Sequence, residues 1–389
     1  MKYRMLGNTG LEVSVLGFGA MRLPIKGGLE NPADIFNPEK PVDEEHAGRM
    51  VEYAVQRGIN YFDTAYGYHG GQSEPFLGKA LEPHRDRVLI ATKMPVWMIQ
   101  APDDYDRILD EQLERLRTGR IDVYLLHGLN RQYWPRVRDG GVGEFLDRAR
   151  GDGRIGHAGF SFHDDIHMFK EIVSEHPWEV CQIQYNFYDE NYQAGHQGLR
   201  YAAERGIGII AMEPLRGGKI VDPVPDKVRE LWSTAPVERS ALEWAWRWVW
   251  DEASVATALS GMSTLEQLKQ NVDLAVNARA GSLSEAEREL IGRVRDAYRS
   301  MLRVDCTHCA YCMPCPYGVN IPMNFSLYND TFMFRDAEVN FMLYNHMLPP
   351  EQRASNCQEC GECEPKCPQN IQIIEELKTV HGKLHKGPG

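Results

Sequence analysis

The chain has 389 residues, 43% hydrophobic and 25% charged, which is the composition of a globular protein with room for one large and one small domain. Its formal net charge of −12 argues against nucleic acid or an anionic membrane surface as the main partner. No run of about 20 apolar residues and no signal-peptide core stands out. We therefore expect a cytoplasmic protein with reduced thiols and no membrane partner.

Short apolar runs alternate with helical patterns over roughly the first 280 residues. Near-continuous apolar runs of this kind are typical of parallel strands covered on both faces. Eight β/α alternations predict an α/β fold with the sheet closed into a (β/α)8 TIM barrel, and a doubly wound open sheet is the alternative. The strand-like runs are residues 13–18, 59–64, 88–92, 122–127, 156–162, 180–185, 207–212 and 255–259, and the helical stretches include 45–57, 105–117, 143–150 and 199–204.

The connecting segments can be placed relative to these strands. Residues 1–10 precede the first strand, and we expect them to form a hairpin that caps the bottom of the barrel. Two long connections, residues 22–41 and 128–141, follow strands and should lie at the carboxyl mouth, where barrel enzymes keep their active sites. Surface insertion is the alternative interpretation. Residues 283–303 are charged and helical and should join the barrel to a second domain.

Three strand ends resemble motifs of one enzyme family. Phe62-Asp63-Thr64-Ala65-Tyr66-Gly67-Tyr68 resembles the D-T-A-x-x-Y motif of the aldo-keto reductases. Residues 91–93 and 121–127 resemble the lysine and histidine strand ends of that family, in the same order and spacing. The whole chain is similar to a subfamily that carries a C-terminal ferredoxin-like domain. The resemblance implies an oxidoreductase that interconverts a carbonyl and an alcohol in a small-molecule substrate, using a nicotinamide cofactor.

The same residues have a physical logic of their own. Asp63, Lys93 and His127 each end a predicted strand, and Tyr68 follows the second strand, so all four should meet at one mouth. An ammonium group lowers the pKa of a nearby phenol from about 10, which eases proton transfer near neutral pH. Asp63 would keep Lys93 charged, His127 would orient the substrate oxygen, and Tyr68 would donate the proton. A single such residue is more often structural, but four together favour catalysis.

A nicotinamide site is also implied by the resemblance, with some departures. Phe162 stands where the family usually has asparagine, and Met212 stands where many members stack an aromatic ring. Because Ser263 cannot supply a cation to a 2′-phosphate, NADH is slightly favoured over NADPH. The matching positions are Ser161 and Gln184 for the carboxamide, Gly217 and Gly218 for the pyrophosphate, and Gly261, Ser263, Gln267 and Asn271 for the adenosine phosphate.

Eight of the nine cysteines form two quartets. The second reads C-x2-C-x2-C-x3-C-P, the cysteine run of bacterial-type ferredoxins, and the first is one residue shorter. Zinc sites usually use separated cysteine pairs, so the spacing favours two 4Fe–4S clusters over zinc. The quartets are Cys306, Cys309, Cys312 and Cys315, and Cys357, Cys360, Cys363 and Cys367.

In two-cluster ferredoxins the fourth cysteine of each run ligates the other cluster. Transferred to this chain, one cluster takes Cys306, Cys309, Cys312 and Cys367, and the other takes Cys357, Cys360, Cys363 and Cys315. The short spacing before Cys315 leaves one intact cluster as the fallback. Residues 319–354, between the quartets, should form a helical insert of the alpha-helical ferredoxin type. We expect a barrel domain over residues 1–298 and a ferredoxin-like domain over 299–389.

Hydride chemistry and one-electron chemistry in one chain leave three hypotheses. The first, which we favour, is a nicotinamide-dependent reductase whose clusters hold the C-terminal domain together or dock a partner. The second is a reductase that receives electrons through the clusters from a redox partner protein such as a ferredoxin or flavoprotein. The third is a redox sensor or electron-carrying subunit on an inherited barrel. No flavin motif is visible, although a barrel mouth can accept a flavin without one.

Several other features are expected to be structural or are only loosely assigned. Four tryptophans between 244 and 250 should pack in the core, and Cys181 should be a small buried residue. His163 and Asp164 lie at the mouth, with substrate contact and a simple loop role equally open. The aromatic residues that could wall a substrate pocket are Trp97, Tyr133, Trp134 and Phe162.

Overall fold

The computed structural model describes residues 1–28, 40–306, 312–334, 337–367 and 369–385. These residues form two compact units. The barrel unit contains Met1–Gly28, residues 40–217 and Leu242–Ser284, and the C-terminal unit contains Gly218–Ala241 and the described residues from 285 onward. No described helix has the length and apolar character that crossing a membrane would require.

Eight parallel strands close into a barrel, which confirms the predicted fold class. They pair in the order β10-β3-β4-β5-β6-β7-β8-β9. Residue pairs in register include Gly19 with Asp63 and Lys93 with Leu125, so the carboxyl ends of neighbouring strands share one rim. The strands are β3 (Leu16–Gly19), β4 (Tyr61–Asp63), β5 (Leu89–Met94), β6 (Ile121–Leu129), β7 (Ile155–Phe162), β8 (Val180–Gln184), β9 (Gly208–Met212) and β10 (Val255–Gly261).

One strand boundary was predicted wrongly. The apolar run 13–18 is divided between β2 (Glu12–Ser14) and the barrel strand β3, which begins at Leu16. β2 pairs antiparallel with β1 (Tyr3–Met5), which confirms the predicted hairpin. Leu6 and Val13 of this hairpin join a buried cluster at the amino ends of the barrel strands, so the hairpin caps the bottom of the barrel. An unbroken apolar run hides such a break because both halves are buried.

Helices of the barrel unit overlap the four predicted amphipathic stretches, although the helix predicted over 199–204 begins four residues earlier, at Gly195. In the long connection 128–141 a short helix is present, and in the connection 22–41 residues 29–39 lie outside the described part of the chain. The helices are α1 (Glu44–Gln56), α2 (Ser73–Leu81), α3 (Asp103–Arg115), α4 (Trp134–Asp139), α5 (Val142–Gly151), α6 (Ile166–Glu175), α7 (Gly195–Ala203), α9 (Ala241–Asp251) and α10 (Leu265–Ala275).

Core packing accounts for the tryptophan-rich helix α9. Trp244, Trp246 and Trp250 are buried, and the rings of Trp246 and Trp250 stack with centroids 4.7 Å apart. The indole nitrogen of Trp250 donates to the carbonyl of Val15 at 3.0 Å, which ties α9 to the barrel. Cys181 is fully buried on β8, as predicted, and burial raises the pKa of its thiol.

The C-terminal unit is mainly helical, as predicted. Its helices are α8 (Asp226–Trp232), α11 (Glu285–Arg299), α12 (Ile321–Met333), α13 (Ala337–Met342) and α14 (Ile373–Leu384). α11 packs in this unit, where Arg239 pairs with Glu287. The predicted domain boundary after residue 298 stays a prediction. α11 crosses that position and belongs to the C-terminal unit, which includes the described residues from 285 onward.

Candidate functional site

A buried lysine–aspartate pair lies at the carboxyl mouth of the barrel. The Nζ atom of Lys93, at the end of β5, is 2.6 Å from Oδ1 of Asp63, at the end of β4. It also donates to the carbonyl of Thr64 at 2.7 Å, and the side chain is fully buried. Burial alone would lower the pKa of Lys93, but Asp63 and Tyr68 raise it above the usual lysine value. Lys93 is therefore held as a cation in a dry site.

The Tyr68 hydroxyl lies 3.5 Å from Nζ of Lys93. Tyr68 follows β4 in a tight turn in which its amide donates to the carbonyl of Ala65 at 3.1 Å. Burial raises the pKa of Tyr68, Lys93 lowers it and Asp63 raises it, with a net shift above the usual tyrosine value. The expected lowering by Lys93 is present, but burial outweighs it, and Tyr68 stays a protonated donor.

His127 completes the group from β6. Its ring meets the Tyr68 ring edge-on, with centroids 6.0 Å apart, and the Trp97 ring at 5.1 Å. Burial, followed by the charge of Lys93, lowers the pKa of His127 well below its usual value. Its buried Nδ1 has no hydrogen-bond partner among the described residues. A neutral imidazole in this position can contact an incoming substrate oxygen.

Sequence reasoning missed a buried polar network behind Lys93. Glu74, on α2, accepts hydrogen bonds from Thr92 and from Nε2 of Gln112, each at 2.6 Å. Gln112 also donates to the carbonyl of Lys93 at 3.1 Å and accepts from Tyr124 at 2.6 Å. The network fixes the end of β5 from outside the barrel. The only sequence signal was a charged residue on the apolar side of a helix, which is weak on its own.

The residues predicted to hold the nicotinamide end lie on β7 and β8. The Ser161 hydroxyl is buried, accepts from the amide of Gly128 at 2.8 Å and donates to the carbonyl of Leu126 at 3.5 Å. The amide nitrogen of Gln184 donates to Oδ2 of Asp189 at 2.7 Å. The Ser161 hydroxyl is thus partly used by the backbone at the end of β6, whereas the Gln184 amide is oriented by the Asp189 carboxylate.

The glycines predicted for the pyrophosphate leave backbone exposed to a ligand. Gly217 and Gly218 have φ angles of 68° and 96°, which favour glycine. A Cβ on Gly217 would lie 2.9 Å from the guanidinium of Arg22, and a Cβ on Gly218 would meet no atom of the described residues within 4 Å. A Cβ on Gly261, at the end of β10, would lie 2.9 Å from the side chain of Arg22. Backbone amides in glycine segments, together with one arginine, supply the donors and the positive charge that a phosphate group requires.

Residues of the predicted adenosine-phosphate helix are partly engaged elsewhere. The amide of Ser263 donates to Oε1 of Gln267 at 2.9 Å, and its hydroxyl donates to the carbonyl of Arg22 at 2.9 Å. The Asn271 side chain is buried, accepts from Trp246 at 2.8 Å and donates to Ser260 at 3.0 Å. Asn271 lies on the buried face of α10, and its role in cofactor binding stays a prediction.

The aromatic residues proposed as pocket walls separate into two groups. Phe162 and Trp134 are buried in the core, where Phe162 packs on Phe169 with ring centroids 5.2 Å apart. Trp97 is 43% exposed beside His127. The interpretation was therefore wrong for both residues: the Phe162 side chain points away from the barrel interior at the end of β7, and Trp134 packs into the core from α4. At the same rim, Asp164 pairs with Arg131 at 2.6 Å.

The C-terminal unit contains a cavity lined by cysteines from both quartets. Cys315, Cys357, Cys360, Cys363 and Cys367 are free thiols. Cys306 and Cys367 pack at the edge of the hydrophobic core of this unit, and Cys309 lies outside the described residues. The cavity wall contains Cys312, Cys315, Cys357, Cys360 and Cys363, with Val319, Ile321 and Leu377 among its apolar residues.

This cavity differs from the site of a single ion. Within the described ranges, no three His, Cys, Asp or Glu side chains lie close enough together to hold one metal ion. Thiols spread around an apolar cavity match the donor set of an iron–sulfur cluster, whose inorganic core lies between the sulfurs. The donor chemistry therefore fits a cluster.

Two buried asparagines of α12 hold the segments that lead into the quartets. Asn329 accepts from the amides of Arg303 and Val304 at 2.8 and 2.9 Å and donates to the carbonyl of Val304 at 2.8 Å. Asn324 accepts from the amide of Ala354 at 2.9 Å and donates to the carbonyl of Gln352 at 2.8 Å. We call these contacts the asparagine clamps. The backbone groups that they hold lie two to five residues before the first cysteine of a quartet.

A closed parallel barrel with a buried lysine, aspartate, tyrosine and histidine at its mouth defines a barrel enzyme with proton-transfer groups. Comparisons with known proteins give the family. The model of the aldo/keto reductase family matches residues 15–285, and that of a 4Fe-4S dicluster domain matches residues 305–372. The chain therefore belongs to the aldo/keto reductase family and carries a 4Fe–4S domain.

Individual relatives agree with this assignment. L-galactose dehydrogenase of Arabidopsis thaliana is 26% identical over 296 residues, which cover 70% of this chain and 87% of that protein. The 6-dehydroglucose reductase of Novosphingobium aromaticivorans is 27% identical over 270 residues, 63% of this chain and 81% of that protein. The solved structure of aldo-keto reductase AKR11C1 from Bacillus halodurans (holo form) has a TM-score of 0.62 at 26% identity, covering 76% of this chain and 96% of that one.

Proposed function

We propose that the protein is a nicotinamide-dependent oxidoreductase that interconverts a carbonyl and an alcohol in a small molecule. The observation that carries the proposal is the arrangement of Asp63, Lys93, Tyr68 and His127 around one point at the barrel mouth. A cation buried beside a phenol, with a neutral imidazole across from it, suits proton transfer to a carbonyl oxygen.

Each residue of the group has one task in this proposal. His127 contacts the carbonyl oxygen of the substrate and orients it, and Tyr68 donates its proton to that oxygen. Lys93 stabilises the phenolate that remains, because its charge lies 3.5 Å from the Tyr68 oxygen. Asp63 holds Lys93 in place and balances its charge in the buried site. In the reverse direction, Tyr68 accepts the proton of the alcohol.

The bound nicotinamide supplies the hydride that reaches the carbonyl carbon. We propose that Ser161 and Gln184 hold its carboxamide and that the exposed backbone of Gly217 and Gly218 receives the pyrophosphate. For the adenosine end we propose Gly261, Ser263, Gln267 and Asn271. The side chain of Asn271 already makes hydrogen bonds to Trp246 and Ser260, which limits its contacts with a cofactor. NADH is proposed over NADPH because Ser263 carries no charge.

Sugars and related hydroxylated carbonyl compounds are the first substrates to test. Two relatives are named for L-galactose and 6-dehydroglucose. The exposed ring of Trp97 beside His127 offers an aromatic face against which the apolar side of a sugar ring can pack. We propose this substrate class both for reduction of the carbonyl and for oxidation of the alcohol.

For the C-terminal unit we propose two 4Fe–4S clusters. The support is the cavity wall, in which Cys312 and Cys315 of the first quartet join Cys357, Cys360 and Cys363 of the second. By analogy with two-cluster ferredoxins, we propose that Cys315 completes the cluster of Cys357, Cys360 and Cys363, and that the other cluster takes Cys306, Cys309, Cys312 and Cys367. Bound clusters supply one-electron chemistry, and we propose that here they serve the C-terminal unit or a redox partner protein. A cytoplasmic location is proposed with them.

The test is anaerobic turnover of an aldehyde or sugar by the full chain, with NADH consumption and alcohol formation measured together. Equal amounts of NADH consumed and alcohol formed are expected. Tyr68→Phe should lower kcat by about 10²- to 10⁴-fold while NADH binding is kept. Tyr201→Phe, on α7, is the matched control and should turn over normally.

Two results would overturn the proposal. One is unchanged turnover in Tyr68→Phe. The other is turnover that ignores NADH, requires a reduced ferredoxin and disappears in Cys360→Ser, which would assign the protein to the cluster-fed reductases.

A further inference from the structure

Three side chains converge on a single carboxylate oxygen next to the proposed nicotinamide site. Asp189, on the segment after β8, is only 7% exposed. Its Oδ2 atom accepts from Nε2 of Gln184 at 2.7 Å, from Nδ2 of Asn186 at 3.1 Å and from Nε of Arg216 at 3.1 Å. All four residues belong to the barrel unit. A carboxylate oxygen that accepts from three donors is fixed in position.

The turn around Asn186 holds Asp189 in place. Oδ1 of Asn186 accepts from the amides of Tyr188 and Asp189 at 3.1 and 2.9 Å, which is the pattern of a local asparagine turn. Nδ2 of Asn186 also donates to the carbonyl of Glu213, just after β9, at 3.0 Å. Arg216 adds the counter-charge. Asp189 is therefore anchored by the ends of two neighbouring strands before any ligand binds.

The chemistry of the carboxylate decides which end of Gln184 faces it. An ionised carboxylate only accepts hydrogen bonds, whereas a glutamine amide donates from nitrogen and accepts at oxygen. One N–H of the Gln184 amide is used by Asp189, which fixes the orientation of the amide and leaves its carbonyl oxygen to accept from a ligand. Without that partner, either end of the amide could face the ligand.

We propose that Asp189 is a positioning residue that locks the Gln184 amide so that its carbonyl accepts a hydrogen bond from the carboxamide N–H of the nicotinamide. The inference rests on the proposed function, because it needs a nicotinamide at this mouth. Asp189 itself does not touch the cofactor. It acts through Gln184 by removing one of two amide orientations, which lowers the ordering cost of binding.

The experiment compares two ligands on the full chain. NADH carries the carboxamide, and ADP-ribose carries the pyrophosphate and adenosine without it. In Asp189→Asn the new side chain donates as well as accepts, so Gln184 is no longer locked. We expect the Kd for NADH to rise about tenfold and the Kd for ADP-ribose to change less than about twofold. NADH fluorescence and competition by ADP-ribose give both values.

Coupling and control variants make the test specific. In a Gln184→Ala background, Asp189→Asn should add nothing further to the Kd for NADH, because the two residues act as one unit. Asp273→Asn, an exposed carboxylate on α10, is the control for lost charge and should bind like the wild type. Asp189→Ser, which also removes the acceptor charge, serves if Asp189→Asn does not fold.

The outcomes separate this inference from the proposed function. If wild-type protein binds NADH and Asp189→Asn binds it equally well, the inference is wrong and the proposed function stands. A matching rise in the Kd for both ligands would also overturn it, since the effect would then not pass through the carboxamide. A wild-type protein that binds no NADH overturns the proposed function and the inference together.

Discussion

The barrel mouth and the asparagine clamps hold reactive side chains in place by different means. At the mouth, Asp63 and Lys93 end neighbouring strands of a closed sheet, and the strand register alone brings them together. In the C-terminal unit the quartet cysteines that the structure describes lie on irregular segments. There the neutral side-chain amides of Asn324 and Asn329 position these segments by hydrogen bonding directly to their backbone.

The two regions also differ in the kind of polar group that they bury away from water. The mouth buries a charge pair, which is expensive to desolvate but shifts the pKa values on which proton transfer depends. The clamps bury only neutral groups, each satisfied by a backbone partner. Substitutions at the mouth should therefore change chemistry first, and substitutions at the clamps should change local folding first.

The largest expected effect is that of Lys93→Met. The variant removes the cation beside Tyr68, and we expect kcat to fall by about 10²- to 10⁴-fold. It also leaves Asp63 buried without its partner, which should cost about 3–5 kcal/mol of unfolding free energy. Burial already raises the pKa of Asp63, so stability should fall as pH rises through that raised value. Turnover and urea unfolding at acid and neutral pH measure both effects.

Lys79→Met is the matched control for this substitution. Lys79 pairs with Glu44 on the surface at 2.9 Å, and loss of an exposed pair should cost no more than about 1 kcal/mol with normal turnover. Normal turnover in Lys93→Met would contradict the proposal that the active site lies at the barrel mouth. Equal stability of Lys93→Met at both pH values would contradict the unpaired charge on Asp63.

Asn329→Ala should have the next largest effect, and on the other region. The variant leaves the backbone amides of residues 303 and 304 and the carbonyl of residue 304 without their hydrogen-bond partner, which should cost about 2–4 kcal/mol of local stability. We expect looser binding of the cluster that uses the first quartet, with up to about half of the iron lost on purification. Iron per chain and visible absorbance measure this, while NADH binding by the barrel should be unchanged.

Asn324→Ala tests whether the clamps act separately. It should disturb the segment before Cys357 and leave the amides of Arg303 and Val304 bonded. Asn277→Ala, an exposed asparagine in the barrel unit, should keep full iron content. Full iron content in both clamp variants would show that the cysteine segments hold their shape without the asparagine clamps.

The same comparison explains what the sequence could predict. Strand-end residues such as Lys93 and His127 were predictable because a closed parallel sheet brings all its carboxyl ends to one rim. The clamps were not, because a buried asparagine on a helix reads like any polar surface residue. Asp189 was missed for a related reason, since its donors come from separate segments that only the folded chain brings together.

Two errors show where local patterns carry too little information. Residues 13–18 read as one strand because burial continues across the junction of the hairpin and the barrel. The pKa of Tyr68 was expected to fall, since the motif names Lys93 as a neighbour. A motif does not show how deeply the hydroxyl is buried, and burial decides the sign of the shift.

The smallest expected effect is in the pH dependence of the mouth. Because burial raises the pKa of Tyr68 above the usual tyrosine value, the phenol remains a proton donor throughout the neutral range. His127, with its pKa held well below the usual value, stays neutral throughout the same range. For carbonyl reduction, kcat/KM should therefore vary less than about threefold from about pH 6 to about pH 9. Initial rates across that range, at saturating NADH, measure it. A limb centred near pH 6.5 that disappears in His127→Gln would mean that the imidazole titrates, and that water reaches the mouth more freely than its burial implies.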